Sequence, residues 1–192
     1  RNTFIRYLMN VIETGLQDCF VIEPQIFGDH RGYFFESYNK ERFTEKTGLD
    51  VTFVQDNQSK SNRGVLRGLH FQKGDFAQAK LVRVIQGKVL DAVVDIRPES
   101  PTFGKIFSVV LSGENQKQIF VHRGFAHGFS VFEDDTIYSY KCDNFFHKAS
   151  DSGIIYNDPD LGIDWMLNED EVLLSEKDTV LQSFKTLYSD EV

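Results

Sequence analysis

Five histidines, at positions 30, 70, 122, 127 and 147, are the side chains of this 192-residue sequence best suited to move protons near neutral pH. His70 differs from the others in its neighbours. It lies in Val65-Leu66-Arg67-Gly68-Leu69-His70-Phe71-Gln72, with a cation three residues before it and a glycine between them that relieves crowding. A cation beside a titratable imidazole suits an anionic substrate that must lose a proton. Metal binding is the competing use of histidine. A strand-borne metal site commonly takes an H-x-H pair and a carboxylate, yet His70 is followed by Phe71 and Gln72. His122 and His127 are five apart, which in one strand would put them on opposite faces. Both ligand patterns are broken, so no bound catalytic metal is expected. His30, His122 and His147 read as hydrogen-bonded structural residues.

The elements that must hold these groups are strands. The chain has 18 Phe and 7 Tyr against 2 Met, a balance that favours sheet over helix. Short apolar segments alternate with turn punctuation such as Gln86-Gly87, Ser112-Gly113-Glu114-Asn115 and Glu133-Asp134-Asp135. Within Lys88 to Arg97 the pattern has period two. Leu90, Ala92, Val94 and Ile96 share one face, while Val89, Asp91, Val93 and Asp95 share the other. That is the pattern of a strand buried on one side, with carboxylates interrupting the second face. Residues 80 to 142 read as about six strands in quick succession. Connections this short imply antiparallel pairing, closed as a jelly-roll barrel or sandwich. Helix is scarce. Residues 40–47 form one short helix, with Asn39 as N-cap and Gly48 just past its end. Residues 168–185 hold one or two helical turns, where Ser175 and Asp178 resemble a capping pair.

Composition excludes several functions. A net charge of −8 with no Lys/Arg-dense run argues against nucleic-acid binding. No apolar run approaches the roughly 18 residues of a membrane span. Cys19 and Cys142 are far apart and form no C-x-x-C pair, so a reducing cytoplasm is the default. Residues 1–8 read as a leader or expression remnant and residues 9–192 as a single domain.

The order of motifs adds a family. Residues 20–178 resemble the dTDP-4-dehydrorhamnose 3,5-epimerases. The resemblance runs through Phe27-Gly28-Asp29-His30-Arg31-Gly32-Tyr33-Phe34-Phe35-Glu36-Ser37, Phe53-Val54-Gln55-Asp56-Asn57 and Val65 to Gln72. It continues through Lys80-Leu81-Val82-Arg83-Val84, Gly124-Phe125-Ala126-His127-Gly128-Phe129, Tyr140-Lys141 and Leu174-Ser175-Glu176-Lys177-Asp178. It implies an all-β, cupin-type jelly roll with a few short helices.

It also implies an isomerase that needs no cofactor and inverts the carbons flanking a 4-keto group on a dTDP-sugar, in rhamnose and polysaccharide biosynthesis. His70 falls at the catalytic base, Asp178 at the carboxylate paired with it, Tyr140 at the proton donor of the opposite sugar face, and Lys80 near the 4-keto oxygen. His127 matches a substrate-binding residue and Asp91 a polar group, both lining the barrel. Arg31, Glu36, Gln55, Asn57, Arg67 and Lys177, with Phe27 and Phe145, match the surroundings of the nucleotide and its diphosphate. A homodimer is implied, with Arg31 reaching a neighbouring subunit. The competing readings are a single-carbon epimerase on a related keto-sugar and a sugar-binding or metal-dependent cupin. The sequence departs from the family pattern at Gln58, His122, Phe145-Phe146 and Met166, which touches nucleotide contacts more than reaction type.

Overall fold

A computed structural model describes residues 9–189 of the chain; the leader reading of residues 1–8 lies outside them. The strands are β1 (Met9–Glu13), β2 (Cys19–Pro24), β3 (Phe27–Asp29), β4 (Gly32–Phe34), β5 (Gln55–Ser61), β6 (Leu66–Gln72) and β7 (Lys80–Gln86). They continue as β8 (Lys88–Asp95), β9 (Ile106–Ser112), β10 (Gln118–Val121), β11 (Phe125–Val131), β12 (Thr136–Cys142) and β13 (Asp151–Gly153). Two sheets face each other, a six-stranded one ordered β1-β2-β10-β7-β12-β5 and a five-stranded one ordered β13-β6-β11-β8-β9. β3 and β4 form a separate hairpin. From β5 to β13 the chain crosses between the two main sheets at every step except β8 to β9. This is the expected all-β jelly roll, and its six strands from Lys80 to Cys142 match the count read from the turns.

The crossings are sharp, and glycine makes them possible. Gly87 joins β7 to β8 with a φ of 81°. A Cβ there would lie 2.1 Å from Thr136 Oγ1, so a larger residue would push this corner off the start of β12. Between the sheets, Val82, Val84, Val89, Val93, Ile119 and Phe129 form the central core. The other face of β8 corrects the one-sided expectation. Leu90, Ala92, Val94 and Ile96 are also buried, against Trp165, Leu161 and Phe184 from the chain's last third. β8 is therefore enclosed on both faces, and Asp91 and Asp95 point from it into fully buried surroundings.

Helix α1 (Lys40–Thr47) forms where expected. The Asn39 side chain accepts from the Arg42 N–H, and Gly48 closes the helix in the left-handed conformation at φ 74°. Its Phe43 packs edge-on against Phe120 on the outer face of the six-stranded sheet. After residue 168 the backbone makes two short 3-10 turns, Glu169–Glu171 and Asp178–Val180, and helix α2 (Phe184–Leu187). His122 and His127 do not share a strand: His122 follows β10, edge-on to Phe120, and His127 lies within β11. His147 is structural as expected, bonding Ser150 Oγ at 2.8 Å and stacking on Phe76. His30 instead is exposed in the β3–β4 turn.

Candidate active site

A cavity of about 310 Å³ opens between the two main sheets. The five-stranded sheet supplies Arg67, His70 and His127 to its wall, and the six-stranded sheet supplies Asn57, Lys80, Tyr138 and Tyr140. Arg67 and His70 are three apart and would point to opposite faces of a regular strand. A bulge brings them to the same side. His70 pairs with His127, but Arg67 pairs with Phe129, so three steps along β6 match two along β11. Gly68 takes up this irregularity with φ 126°, where its backbone lies so close to Gly128 that a Cβ would sit 2.5 Å from the Gly128 Cα. The Arg-Gly-x-His spacing thus becomes a cation and an imidazole in one cavity.

His70 is partly exposed to that cavity, and its Nε2 lies 2.5 Å from Asp178 Oδ1. Asp178 is only 2% exposed. Burial pushes its carboxyl up, but hydrogen bonds from His70, Ser175 and the Gly68 N–H outweigh that and hold it below the usual carboxylate range. The two residues are 108 apart in sequence, so the chain's final segment wraps back to deliver the partner. Leu173 fixes that wrap by bridging to Val65, and its carbonyl accepts from the Leu66 N–H at 3.0 Å.

Opposite stand Tyr140 and Lys80. Alternation along β12 turns Tyr138, Tyr140 and Cys142 inward. Burial, with Cys142 nearby, raises the Tyr140 phenol above its ordinary value, although Arg67 and a hydrogen bond with Asn57 pull the other way. The hydroxyl is therefore a proton carrier at neutral pH. Half-buried Lys80 sits with Nζ 5.5 Å from the Tyr140 ring centroid, and burial lowers its ammonium below the ordinary value.

A second His–Asp pair lines the same cavity. His127 Nε2 lies 2.6 Å from Asp91 Oδ1, and the Tyr138 hydroxyl donates to Asp91 Oδ2 at 2.6 Å. Tyr138, Gln58, Ser59 and Phe129 line the cavity without having been singled out for it from the sequence. The available signal was Asp91, a carboxylate set between apolar residues of β8, which needs a buried donor.

The remaining candidates lie elsewhere in the chain's own contacts. Phe27 and Arg31 are exposed on the β3–β4 hairpin. Glu36 pairs with Arg42, and Lys177 with Asp151. Gln55 shares a strand face with Asn57 and donates to its Oδ1 at 3.2 Å, while its own Oε1 accepts from the Phe146 N–H. Phe145 is 61% exposed. Among the described residues no three of His, Cys, Asp and Glu converge as a metal site would require.

The sequence profile of the family described as dTDP-4-dehydrorhamnose 3,5-epimerase matches residues 13–186. The chain belongs to this family. It is 51% identical over 168 residues to the dTDP-4-dehydrorhamnose 3,5-epimerase of Methanothermobacter thermautotrophicus, covering 87% of this chain and 90% of that one. The crystal structure of the epimerase from Elizabethkingia anophelis superposes with a TM-score of 0.91 at 53% identity, over 94% of this chain and 98% of that one. The Legionella pneumophila enzyme, solved with dTDP-4-keto-L-rhamnose, superposes with a TM-score of 0.90 at 46% identity, over 96% and 97%.

Proposed function

We propose that the chain is a dTDP-4-dehydrorhamnose 3,5-epimerase, inverting C3 and C5 of dTDP-4-dehydro-6-deoxy-D-glucose without a cofactor. The observation that carries the reading is the opposition of two proton-transfer groups across one cavity. The His70–Asp178 pair comes from the five-stranded side, and Tyr140 with Lys80 from the six-stranded side. Inversion beside a ketone needs removal of a proton from one ring face and return of another to the opposite face. His70 takes the proton, and Asp178 orients its ring and stabilises the imidazolium that forms. Lys80 stabilises the enolate oxygen as charge develops there. Tyr140 returns a proton from the other face.

Arg67 holds the diphosphate, with Asn57 and Gln55 towards the nucleotide and Phe145 available to stack on the base. Phe27, Glu36 and Lys177 add to the surroundings of the nucleotide, and Arg31 reaches a neighbouring subunit's site in a homodimer. The β3–β4 hairpin supports this: Phe27, Tyr33 and Phe34 are exposed on it beside Arg31, a surface better suited to a partner subunit than to water. The two buried free thiols, Cys19 and Cys142, favour a reducing cytoplasm.

The test is a proton NMR time course in deuterated water with dTDP-4-keto-6-deoxyglucose. Loss of signal at both C3 and C5, with an L-configured product, is the expected result. Exchange at one carbon only would make the chain a single-carbon epimerase.

A further inference from the structure

Catalysis by His70, Lys80 and Tyr140 leaves the second His–Asp pair unused, although building it is demanding. Asp91 is fully buried on β8, and a carboxylate there requires a donor at each oxygen. It has them: Tyr138 donates its hydroxyl to Oδ2, and His127 Nε2 meets Oδ1, both at 2.6 Å. The Tyr138 ring is itself locked, stacked on Phe129 with centroids 3.8 Å apart and an interplanar angle of 13°. Burial, reinforced by the Asp91 charge, raises the Tyr138 phenol well above its ordinary value, so its O–H stays a donor.

A carboxylate only accepts, so His127 must present N–H at Nε2. In the neutral ring Nδ1 then carries the lone pair. Among the described residues Nδ1 makes no hydrogen bond, and His127 lines the cavity beside its register partner His70. We infer that Tyr138 is a positioning residue that, through Asp91, fixes His127 as a neutral hydrogen-bond acceptor for a hydroxyl of the bound sugar. The ligand class is a donor hydroxyl beside the reacting carbons, and the inference rests on the epimerase reading for the identity of that sugar. It separates the two pairs by role. His70 exchanges protons with substrate, whereas His127 reads a hydroxyl in the ground state and the transition state alike.

The test has two arms. The first is long-range ¹H–¹⁵N correlation of histidine side chains in the substrate-free protein, with His127 assigned by its loss in His127→Gln. The expected parent spectrum shows His127 as the Nε2–H tautomer, with Nδ1 far downfield as an unprotonated nitrogen. Tyr138→Phe keeps the Phe129 stack and should turn His127 into a mixture of tautomers. An Nδ1–H or doubly protonated ring in the parent overturns the inference even if the variant does not fold, and so does an unchanged His127 signature in a folded Tyr138→Phe. The second arm is kinetic. Losing one neutral hydrogen bond to substrate should raise KM about three- to tenfold in Tyr138→Phe, with kcat moving less. A kcat loss at constant KM would make the network part of the proton transfer and sink the acceptor role. Failure of the parent to turn over the dTDP-sugar would instead count against the epimerase reading, and leaves the spectroscopic arm to decide the tautomer.

Discussion

Asp91 and Asp95 lie four residues apart on the same face of β8, and both are fully buried, yet their surroundings divide the molecule into two kinds of polar site. Asp95, at the end of the strand, is saturated by its own loop. Arg97 donates from Nε and from its backbone N–H to Oδ1 at 2.9 and 3.1 Å, and Ser100 and Thr102 donate to Oδ2 at 2.5 and 2.6 Å. Arg97 is itself consumed, reaching the Gln17 carbonyl at 3.0 Å and lying 4.6 Å over the Phe125 ring. Asp91, in the cavity wall, is matched to a phenol and an imidazole, and that imidazole keeps one nitrogen uncommitted. The contrast extends to the cations. Arg97 has two carboxylates within reach, Asp95 and Asp18, whereas among the described residues Arg67 has no carboxylate within 4 Å and touches only the Ser61 hydroxyl, at 3.2 and 3.4 Å. Where every donor meets an acceptor inside the chain, the network serves the fold. Where donors and acceptors are left open towards a cavity, the missing partner is a ligand.

The sharpest way to break that division is to remove the groups assigned to chemistry and look for damage to the fold. His70→Ala should lower turnover by about 10²–10⁴-fold, the usual contribution of a positioned general base. The melting temperature should fall only modestly: His70 faces the cavity rather than a packed core, and Asp178, which loses its imidazole partner, keeps the donors of Ser175 and the Gly68 N–H. Solvent deuterium should no longer enter the substrate. Tyr140→Phe sharpens the same point. It removes only the hydroxyl, so exchange should persist while inverted product falls. If exchange and product fall in parallel, the hydroxyl acts during deprotonation and the two sheets do not divide the work by ring face.

The opposite substitution belongs at the other end of β8. Asp95→Ala removes a buried carboxylate and strands Arg97, Ser100 and Thr102, so a loss of about 3 kcal/mol of stability is expected. Activity per folded molecule should survive. The pH dependence follows from the carboxyl itself. Burial pushes it up, but the donors of Arg97, Ser100 and Thr102 more than reverse this and bring it to about 2. A depressed folded-state value stabilises fully above the unfolded value of about 4 and is lost as pH falls below it. The parent should therefore lose this increment between about pH 4 and pH 2, while the Asp95→Ala protein shows a flatter stability profile there, as measured by denaturant unfolding. An unchanged melting temperature in Asp95→Ala would dissolve the distinction between the two carboxylates.

How much of this was legible in the sequence varies with the range of the interaction. Period-two alternation and turn residues are local, so the six strands of residues 80–142 and the inward set Tyr138, Tyr140 and Cys142 could be read directly. The helix at 40–47 was equally local, with its cap and its glycine in place. Two-sided burial of β8 was hidden because what covers its outer face, Trp165 and Phe184, comes from a segment with no regular period. Proximity of Arg67 and His70 suggested itself from spacing, but the bulge that turns both to one side depends on the register with β11. The resemblance placed Asp178 beside the base; spacing alone read it as a capping residue, because its real partner lies 108 residues away. Tyr138 was visible only as an inward tyrosine, since its purpose emerges when Asp91 arrives from another sheet.

The smallest expected effect tests the cations. Arg67 sits at the cavity beside His70, exposed, with its guanidinium held only by a neutral hydroxyl. An unpaired guanidinium is preorganised for a diphosphate, to which its planar fork can donate two hydrogen bonds. The diphosphate keeps its charge while a carbon acid distant from it loses a proton, so the contact is equally strong before and during the reaction. Uniform binding of this kind appears in KM and leaves kcat nearly unchanged. Arg67→Ala should therefore raise KM about tenfold, and raising the salt concentration should weaken binding by the parent more than by the variant. Arg97→Ala, its paired counterpart, should leave KM alone and lower the melting temperature instead. A fall in kcat at constant KM for Arg67→Ala would move this residue into the chemical step. It would also show that an unpaired cation in this cavity does more than hold the ligand.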